Sequence, residues 1–190
     1  MREQQQLYNE DCFIRGWYLN HNLCDALIKY FELSENKFAG NTSTGIDKKI
    51  KDSTDCTLDE SDIRNEYIQE LTSVAKEYMK VYPYVDYYSE WGISERINIQ
   101  KYEPHQGFFE YHTERGRAIS PESTRHMVFM TYLNDVSDGG ETEFYHQKIK
   151  VKAEKGLTLI WPAYWTHTHR GITSSTQQKY IITGWFNFLK

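Results

Sequence analysis

The apolar residues in the first half of the chain recur at helical spacing in two stretches. The longer stretch predicts an amphipathic helix over residues 61–80, which ends before Pro83. Its apolar positions, at steps of four, four, three and four, are Ile63, Tyr67, Leu71, Val74 and Tyr78. A shorter helix is predicted after an expected strand at residues 12–19, with Asn22 as its N-cap. The apolar positions of this second helix are Leu23, Leu27, Tyr30 and Phe31.

Residues 35–59 form a segment without any hydrophobic period. The segment is rich in Gly, Asn, Ser, Thr, Asp and Lys, and it contains Gly40, Gly45 and the run KKIKDSTD. This composition predicts a long mobile loop. A loop of this length is also a candidate for a lid over a substrate site.

After Trp91 the pattern changes to short extended runs separated by turn residues such as Asp138-Gly139-Gly140. The predicted strands cover residues 96–102, 127–133, 143–146, 157–161 and 180–188. Helices followed by short strands favour an α+β fold whose strands close into a jelly-roll-like double sheet. A generic β-sandwich with a helical cover is the alternative. We expect one domain over residues 1–190, helical to about residue 90 and a β core from about residue 91.

Composition narrows the classes of partner. The chain has 190 residues and a formal net charge of −5, and no basic tract interrupts it, so we do not expect nucleic acid as a partner. The three cysteines are scattered, which favours free thiols in a reducing compartment. The polar start MREQQQLYNEDC and the lack of a long apolar run predict a cytoplasmic protein without a membrane partner. Nothing in the pattern predicts an oligomeric state.

Side chains that can bind a metal cluster at the two ends of the β half. In an extended segment His112 and Glu114 point to the same side and can present an imidazole and a carboxylate to one ion. A later histidine, His167 or His169, can supply a third ligand if the two strands are neighbours in a rolled sheet. Two nitrogens and one carboxylate on one face of an ion leave open positions, which is typical of non-haem Fe(II) oxygenases.

Lys179 is a second candidate for chemistry. It lies ten residues after His169, at the start of the run KYIITGWF. A lysine that points into an aromatic-lined barrel can provide the buried cation that a dicarboxylate ligand requires. The alternative is an edge lysine whose ammonium reaches back to solvent.

Taken in order, these motifs resemble the 2-oxoglutarate-dependent dioxygenase superfamily, and within it the prolyl 4-hydroxylase branch, over about residues 96–188. Tyr102 precedes His112-Thr113-Glu114 by the family's ten positions. RHMVFMTYLNDV at residues 125–136 and GGETEF at residues 139–144 resemble the family's central segments. HTHRG followed by KYIITGW resembles its final part.

The resemblance implies a double-stranded β-helix, a cupin-like jelly roll, with the N-terminal helices packed on one sheet. It implies that Fe(II) is held by His112, Glu114 and His169, with His169 preferred over His167 because it lies ten residues before Lys179. Lys179 would pair with the distal carboxylate of 2-oxoglutarate. The residues implied to line that pocket are Tyr102, Tyr132 and Trp185, and Arg125 is implied to face the substrate. The alternative is that these three aromatic residues belong to the hydrophobic core and have no role in ligand binding.

The implied activity is hydroxylation of a C–H bond with Fe(II), 2-oxoglutarate and O2, with ascorbate as a candidate reductant. By resemblance the leading substrate is a prolyl residue in a peptide or protein. The alternatives are a dioxygenase acting on a free amino acid or other small molecule, and a non-catalytic β-sandwich that binds a metal or ligand. The chain departs from the family at Glu114, where an aspartate is usual, so the ligand side chain is one methylene longer.

Overall fold

The computed structural model describes residues 4–5 and 10–189. Within these residues two α-helices are present, α1 (His21–Leu33) and α2 (Asp62–Val81). The strands are β1 (Gln4–Gln5), β2 (Arg15–Tyr18), β3 (Lys37–Ala39), β4 (Lys51–Asp52), β5 (Thr54–Thr57), β6 (Trp91–Gly92), β7 (Asn98–Tyr102), β8 (Gly107–Phe108), β9 (Arg125–Tyr132), β10 (Thr142–Phe144), β11 (Ile149–Val151), β12 (Leu157–Pro162), β13 (His169–Gly171) and β14 (Lys179–Phe188). In the described part of the chain, neither helix is both long and apolar enough to cross a bilayer.

The helix predicted over residues 61–80 is confirmed as α2. The Ser61 hydroxyl accepts a hydrogen bond from the Arg64 amide and caps its first turn. The N-cap of α1 was predicted wrongly, because the side chain of Asn20, two residues before Asn22, accepts the capping bond. The strand predicted at residues 12–19 is shorter than expected and begins at Arg15.

The strands form one large antiparallel sheet and two small ones. The large sheet has the order β1-β2-β12-β9-β14-β7-β5-β3, and β6 also pairs with β14. A three-stranded sheet, β11-β10-β13, covers part of it, and β4 pairs with β8. The strands β9 and β14 lie at the centre of the large sheet and are paired along most of their length. This central position explains why both strands are almost continuously buried.

The large sheet packs between two layers. On one face, residues such as Phe129 belong to a core shared with Leu27 of α1 and Leu71 of α2. On the other face, Met130 and its strand neighbours pack against residues of the small sheet, including Phe144 and Val151. Successive side chains of a strand point to opposite faces, so β9 serves both cores. The prediction of an α+β fold with a jelly-roll-like core and helices packed on one sheet is confirmed.

The prediction of a long mobile loop over residues 35–59 is wrong. β3 pairs with β5, β5 pairs with β7 at the edge of the large sheet, and β4 pairs with β8. The hydrophobic pattern does not reveal these strands for two reasons. The buried side chains of β4 and β5 include the charged residues Lys51 and Asp55, and β3 is exposed throughout. The first 90 residues therefore contain strands as well as the two helices. Asn41 to Thr44 border the cavity that is also lined by His112 and Lys179, and the role of this region as a lid stays a prediction.

Candidate metal and co-substrate site

Three predicted ligands meet between the large sheet and the small sheet. One ligand atom from each of His112, Glu114 and His169 lies within 4.8 Å of the other two. The Oε1 atom of Glu114 is 3.4 Å from Nε2 of His112 and 3.5 Å from Nε2 of His169. An isolated β-bridge joins the two histidines, and the amide of each donates to the carbonyl of the other. The fold therefore assembles the cluster through backbone pairing between residues that are distant in sequence.

The outer ring nitrogens of both histidines are hydrogen-bonded to the backbone. Nδ1 of His112 lies 3.1 Å from the Glu110 carbonyl oxygen, and Nδ1 of His169 lies 2.9 Å from the His167 carbonyl oxygen. A carbonyl can only accept, so each Nδ1 carries the proton and each Nε2 keeps a lone pair directed at the cluster. The backbone thus selects the tautomer that a metal ligand requires.

The electrostatics of the cluster suit a divalent ion. Burial, together with the neighbouring His169, lowers the pKa of His112 and favours its neutral form. Burial alone would raise the pKa of Glu114, but the two imidazoles beside the carboxyl hold that pKa well below its usual range. Two imidazoles and one ionised carboxylate are the donor set that non-haem Fe(II) sites use. The residues present therefore fit the metal that the sequence implies.

All eight predicted site residues line one cavity of about 480 Å³. They are Tyr102, His112, Glu114, Arg125, Tyr132, His169, Lys179 and Trp185. The alternative ligand His167 does not line this cavity. Its Nε2 is 2.9 Å from the Cys12 carbonyl oxygen, and its Nδ1 is 2.9 Å from the Thr166 hydroxyl. His167 thus ties the chain near Cys12 to the segment before β13.

Lys179 is buried in the cavity wall, with only 5% of its surface exposed. Its ammonium donates to the Gly140 carbonyl oxygen at 3.2 Å and lies 5.0 Å from the centre of the Tyr102 ring. No carboxylate among the described residues lies within ion-pairing distance of this ammonium. Burial lowers the pKa of Lys179 to about 8, against the opposing effect of Glu141. A buried ammonium without an anionic partner is suited to binding a carboxylate ligand.

The two tyrosines implied to line the co-substrate pocket have hydroxyls that are already bonded inside the protein. The Tyr102 hydroxyl donates to Oε1 of Gln100 at 2.6 Å. The Tyr132 hydroxyl is 2.6 Å from the Thr142 hydroxyl and 3.3 Å from the Val151 carbonyl oxygen. Tyr132 is fully buried and contributes to the cavity wall. A direct bond from Tyr132 to a ligand would require its hydroxyl to exchange one of these partners.

Trp185 and Arg125 contact Glu114. The indole Nε1 of Trp185 donates to Oε2 of Glu114 at 2.9 Å. Arg125 donates to the Glu114 carbonyl oxygen at 2.9 Å and to both carboxylate oxygens of Glu95. The role of Arg125 as a residue that faces substrate stays a prediction.

Three charged residues close to this site are not predicted from the sequence. Lys51 and Asp55 form an ion pair in the cavity wall, and Glu95 binds Arg125. Lys51 and Asp55 lie in a polar segment without a hydrophobic period. In such a segment, a lysine and an aspartate four residues apart are expected to be exposed to solvent. Glu95 lies 30 residues from Arg125, and the sequence carries no signal that joins them.

Comparisons with known proteins agree with this geometry. Residues 97–187 match the family model described as 2OG-Fe(II) oxygenase superfamily. A search of curated proteins finds no match. Several solved structures share the fold at low sequence identity, which establishes likeness of fold alone.

A viral collagen prolyl hydroxylase from Paramecium Bursaria Chlorella virus-1, in complex with 2OG, has a TM-score of 0.69 and 19% identity. The match covers 94% of this chain and 97% of that one. A Pseudomonas putida prolyl-4-hydroxylase has a TM-score of 0.71 and 14% identity, with 92% of each chain covered.

A Trichoplax adhaerens prolyl hydroxylase, in complex with a hypoxia inducible factor oxygen degradation domain peptide fragment, has a TM-score of 0.69 and 13% identity. Here the match covers 97% of this chain and 81% of that one. The matched region of this chain contains the three candidate metal ligands, Lys179 and the rest of the predicted pocket. Residues 97–187 are therefore similar to the 2OG-Fe(II) oxygenase superfamily, and the chain has the fold of these prolyl hydroxylase structures.

Proposed function

We propose that this chain hydroxylates prolyl residues in a peptide or protein, with Fe(II) held by His112, Glu114 and His169. The observation that carries the proposal is one cavity lined both by a two-histidine, one-carboxylate cluster and by a buried ammonium that has no anionic partner among the described residues. The first group suits Fe(II) and the second suits a dicarboxylate. When bound, Fe(II) and 2-oxoglutarate supply an O2-dependent oxidation in which decarboxylation of the co-substrate drives hydroxylation of a C–H bond.

The chain's own residues orient the reactants and exclude water. The Glu110 and His167 carbonyls fix the imidazole tautomers, so both Nε2 atoms are available as ligands. The buried Lys179 ammonium would pair with the far carboxylate of 2-oxoglutarate and so orient the co-substrate. Tyr102, Tyr132 and Trp185 supply aromatic surface around it and keep the site dry. We expect ascorbate to serve as the reductant that keeps the iron in its Fe(II) state.

A peptide substrate is favoured over a small molecule by a row of aromatic rings that leads away from the cavity. Tyr111 lines the cavity, and its ring centre is 5.1 Å from that of Tyr145. From Tyr145 the row continues through His146 to Trp165, with ring centres 5.2 Å and 5.7 Å apart. Trp165 is 57% exposed and Tyr145 is 47% exposed. Proline-rich segments bind as extended helices on such aromatic surfaces, so the row suits the flank of a prolyl substrate.

The match of residues 97–187 to the 2OG-Fe(II) oxygenase family model favours an oxygenase over the non-catalytic binding module. A dioxygenase acting on a free amino acid or other small molecule remains the second candidate. The cavity of about 480 Å³ is large enough to hold 2-oxoglutarate together with such a substrate.

The first experiment is an anaerobic titration of the purified protein with Fe(II) and 2-oxoglutarate. We expect the weak visible charge-transfer band of chelated 2-oxoglutarate, lost in His112→Ala and weakened in Lys179→Ala. Bound metal without this band in the unaltered protein would contradict the proposed co-substrate.

The substrate is tested separately by measuring succinate release with proline-rich peptides of two lengths and with free proline. We expect turnover of the peptides, and Trp165→Ala should raise KM for the longer peptide by about three- to tenfold with little change for the shorter one. Tyr84→Ala, which alters an exposed tyrosine outside the cavity and the row, serves as the matched control. Turnover of free proline alone would favour the second candidate.

A further inference from the structure

The carboxylate of Glu114 is held differently at its two oxygens. Oε1 faces the Nε2 atoms of His112 and His169, whereas Oε2 accepts a hydrogen bond from the Trp185 indole at 2.9 Å. One oxygen is thus available to an ion, and the other is engaged by the protein. A glutamate has one more rotatable bond than the usual aspartate, so an unrestrained side chain would sample more positions.

Arg125 contacts the same carboxylate and the same indole. Its Nη1 lies 2.9 Å from the Glu114 carbonyl oxygen and 3.6 Å from Oε2. Its guanidinium lies over the Trp185 ring, 3.6 Å from the ring centre. Arg125 therefore packs against the indole that binds Glu114 and adds positive charge beside Oε2.

Arg125 is itself held by Glu95. The guanidinium donates to the two oxygens of Glu95 at 2.9 Å and 2.7 Å, which is a bidentate arrangement. Glu95 also accepts a hydrogen bond from the Asn187 side chain at 2.9 Å. Asn187 and Trp185 lie two residues apart on β14, so this strand anchors both ends of the network. The side chains of Glu95, Arg125 and Glu114 are each only 13% to 14% exposed.

We propose that Trp185 and the Arg125–Glu95 pair are positioning residues that allow a glutamate to serve in the metal-binding cluster where an aspartate is usual. They hold Oε2 away from the ion, so the longer side chain presents only Oε1 to it. This inference rests on the proposed function and assigns Trp185 and Arg125 roles beyond lining the pocket and facing the substrate. Residues outside the ligand set that orient a ligand change metal affinity by about ten- to a hundredfold when they are replaced.

The test measures metal binding without turnover. Co(II) or Mn(II) affinity is determined by calorimetry in the absence of 2-oxoglutarate, and the Co(II) absorption spectrum reports the ligand geometry. Trp185→Phe removes the indole N–H but keeps an aromatic ring. We expect it to weaken Co(II) binding by about tenfold or more and to change the spectrum.

The matched control is Trp91→Phe, the same substitution at an indole outside the cavity whose Nε1 atom is buried and has no hydrogen-bond partner among the described residues. It should leave the affinity and the spectrum unchanged. Glu95→Gln, which weakens the hold on Arg125 without touching Glu114 or Trp185, should give a smaller loss in the same direction. Arg125→Lys should also weaken Co(II) binding, because an ammonium cannot form the bidentate contact with Glu95.

The decisive comparison repeats Trp185→Phe in a Glu114→Asp background. The aspartate is too short to keep the bond to the indole, so the loss caused by Trp185→Phe should fall to less than about threefold. An equal loss in both backgrounds, or no loss in either, would overturn the inference while leaving metal binding and the proposed function intact. If the unaltered protein did not bind metal, or if His112→Ala bound metal equally well, both this inference and the proposed function would be overturned.

Discussion

The Lys51 ammonium lies 2.8 Å from Oδ2 of Asp55, and the two side chains are only 6% and 1% exposed. Oδ1 of Asp55 also accepts a hydrogen bond from the Ser53 hydroxyl at 2.7 Å. Removing one partner of such a pair leaves a buried charge uncompensated. We therefore expect Asp55→Ala to lower the free energy of unfolding by about 3–5 kcal/mol, measured by urea denaturation.

The matched control is Glu77→Ala, which breaks an exposed ion pair with Lys80 at 2.7 Å. Its expected cost is below about 1 kcal/mol, because solvent screens an exposed pair. The double replacement Lys51→Met with Asp55→Leu should recover most of the stability lost in Asp55→Ala, since no unpaired charge remains. Equal costs for Asp55→Ala and Glu77→Ala would contradict the account of this pair.

The affinity for 2-oxoglutarate should fall as the pH rises above about 8. Burial lowers the pKa of Lys179 to about 8 in the free protein, so its ammonium is mostly protonated at pH 7 and mostly neutral at pH 9.5. A bound carboxylate favours the protonated form, so binding takes up a proton above the free pKa. We expect the dissociation constant to rise by up to about tenfold per pH unit above pH 8, measured by calorimetry with saturating Mn(II).

Lys179→Arg is the control for this pH dependence. A guanidinium stays charged throughout this range, so the variant should bind more weakly at neutral pH but with a flatter pH profile. If Lys179→Arg retains the full pH dependence, another group is responsible.

The choice between the two late histidines can be tested directly. His169→Ala should lower metal affinity by at least about a hundredfold, because it removes one of three ligands from the cluster. His167→Ala should leave metal affinity nearly unchanged. It should instead cost about 2–3 kcal/mol of stability, because the Cys12 carbonyl and the Thr166 hydroxyl each lose a partner.

Metal affinity is measured by calorimetry and stability by denaturant unfolding, so the two effects separate cleanly. A loss of metal affinity in His167→Ala comparable to that in His169→Ala would contradict the geometry of the cluster.

The β half of the chain was predictable because hydrophobic pattern and chemistry agree there. Central strands such as β9 are buried on both faces, so they read as nearly continuous apolar runs. His169 and Lys179 lie ten residues apart in the sequence, and both line the same cavity in the folded chain. Long-range pairing at the centre of the sheet leaves a clear signature in the sequence.

The edge strands and the network around Glu114 could not be predicted in this way. β5 buries Asp55 by pairing it with Lys51, and this polar burial erases the alternation that marks a strand. The contact between Glu95 and Arg125 joins a loop to β9, and no local pattern encodes it. In both places charged side chains are buried through partners that only the tertiary structure supplies.

The turn at Gly139 should tolerate no side chain. Gly139 has a φ of +75°, and an added Cβ would lie 2.2 Å from the Thr173 carbonyl oxygen. A backbone atom cannot rotate away, so the turn itself would have to move. We expect Gly139→Ala to cost about 2 kcal/mol or more of stability. It should also weaken 2-oxoglutarate binding, because the carbonyl of the next residue, Gly140, accepts the hydrogen bond of Lys179.

Gly45→Ala separates the clash from the conformational strain. Gly45 has a φ of +105°, but nothing lies within 4 Å of an added Cβ. Its substitution should therefore cost only about 1 kcal/mol and leave 2-oxoglutarate affinity unchanged. Denaturant unfolding and calorimetry on the two variants would check both effects. If Gly139→Ala proved no more harmful than Gly45→Ala, the close approach to Thr173 would have no structural consequence and the turn would not be what holds the Gly140 carbonyl beside Lys179.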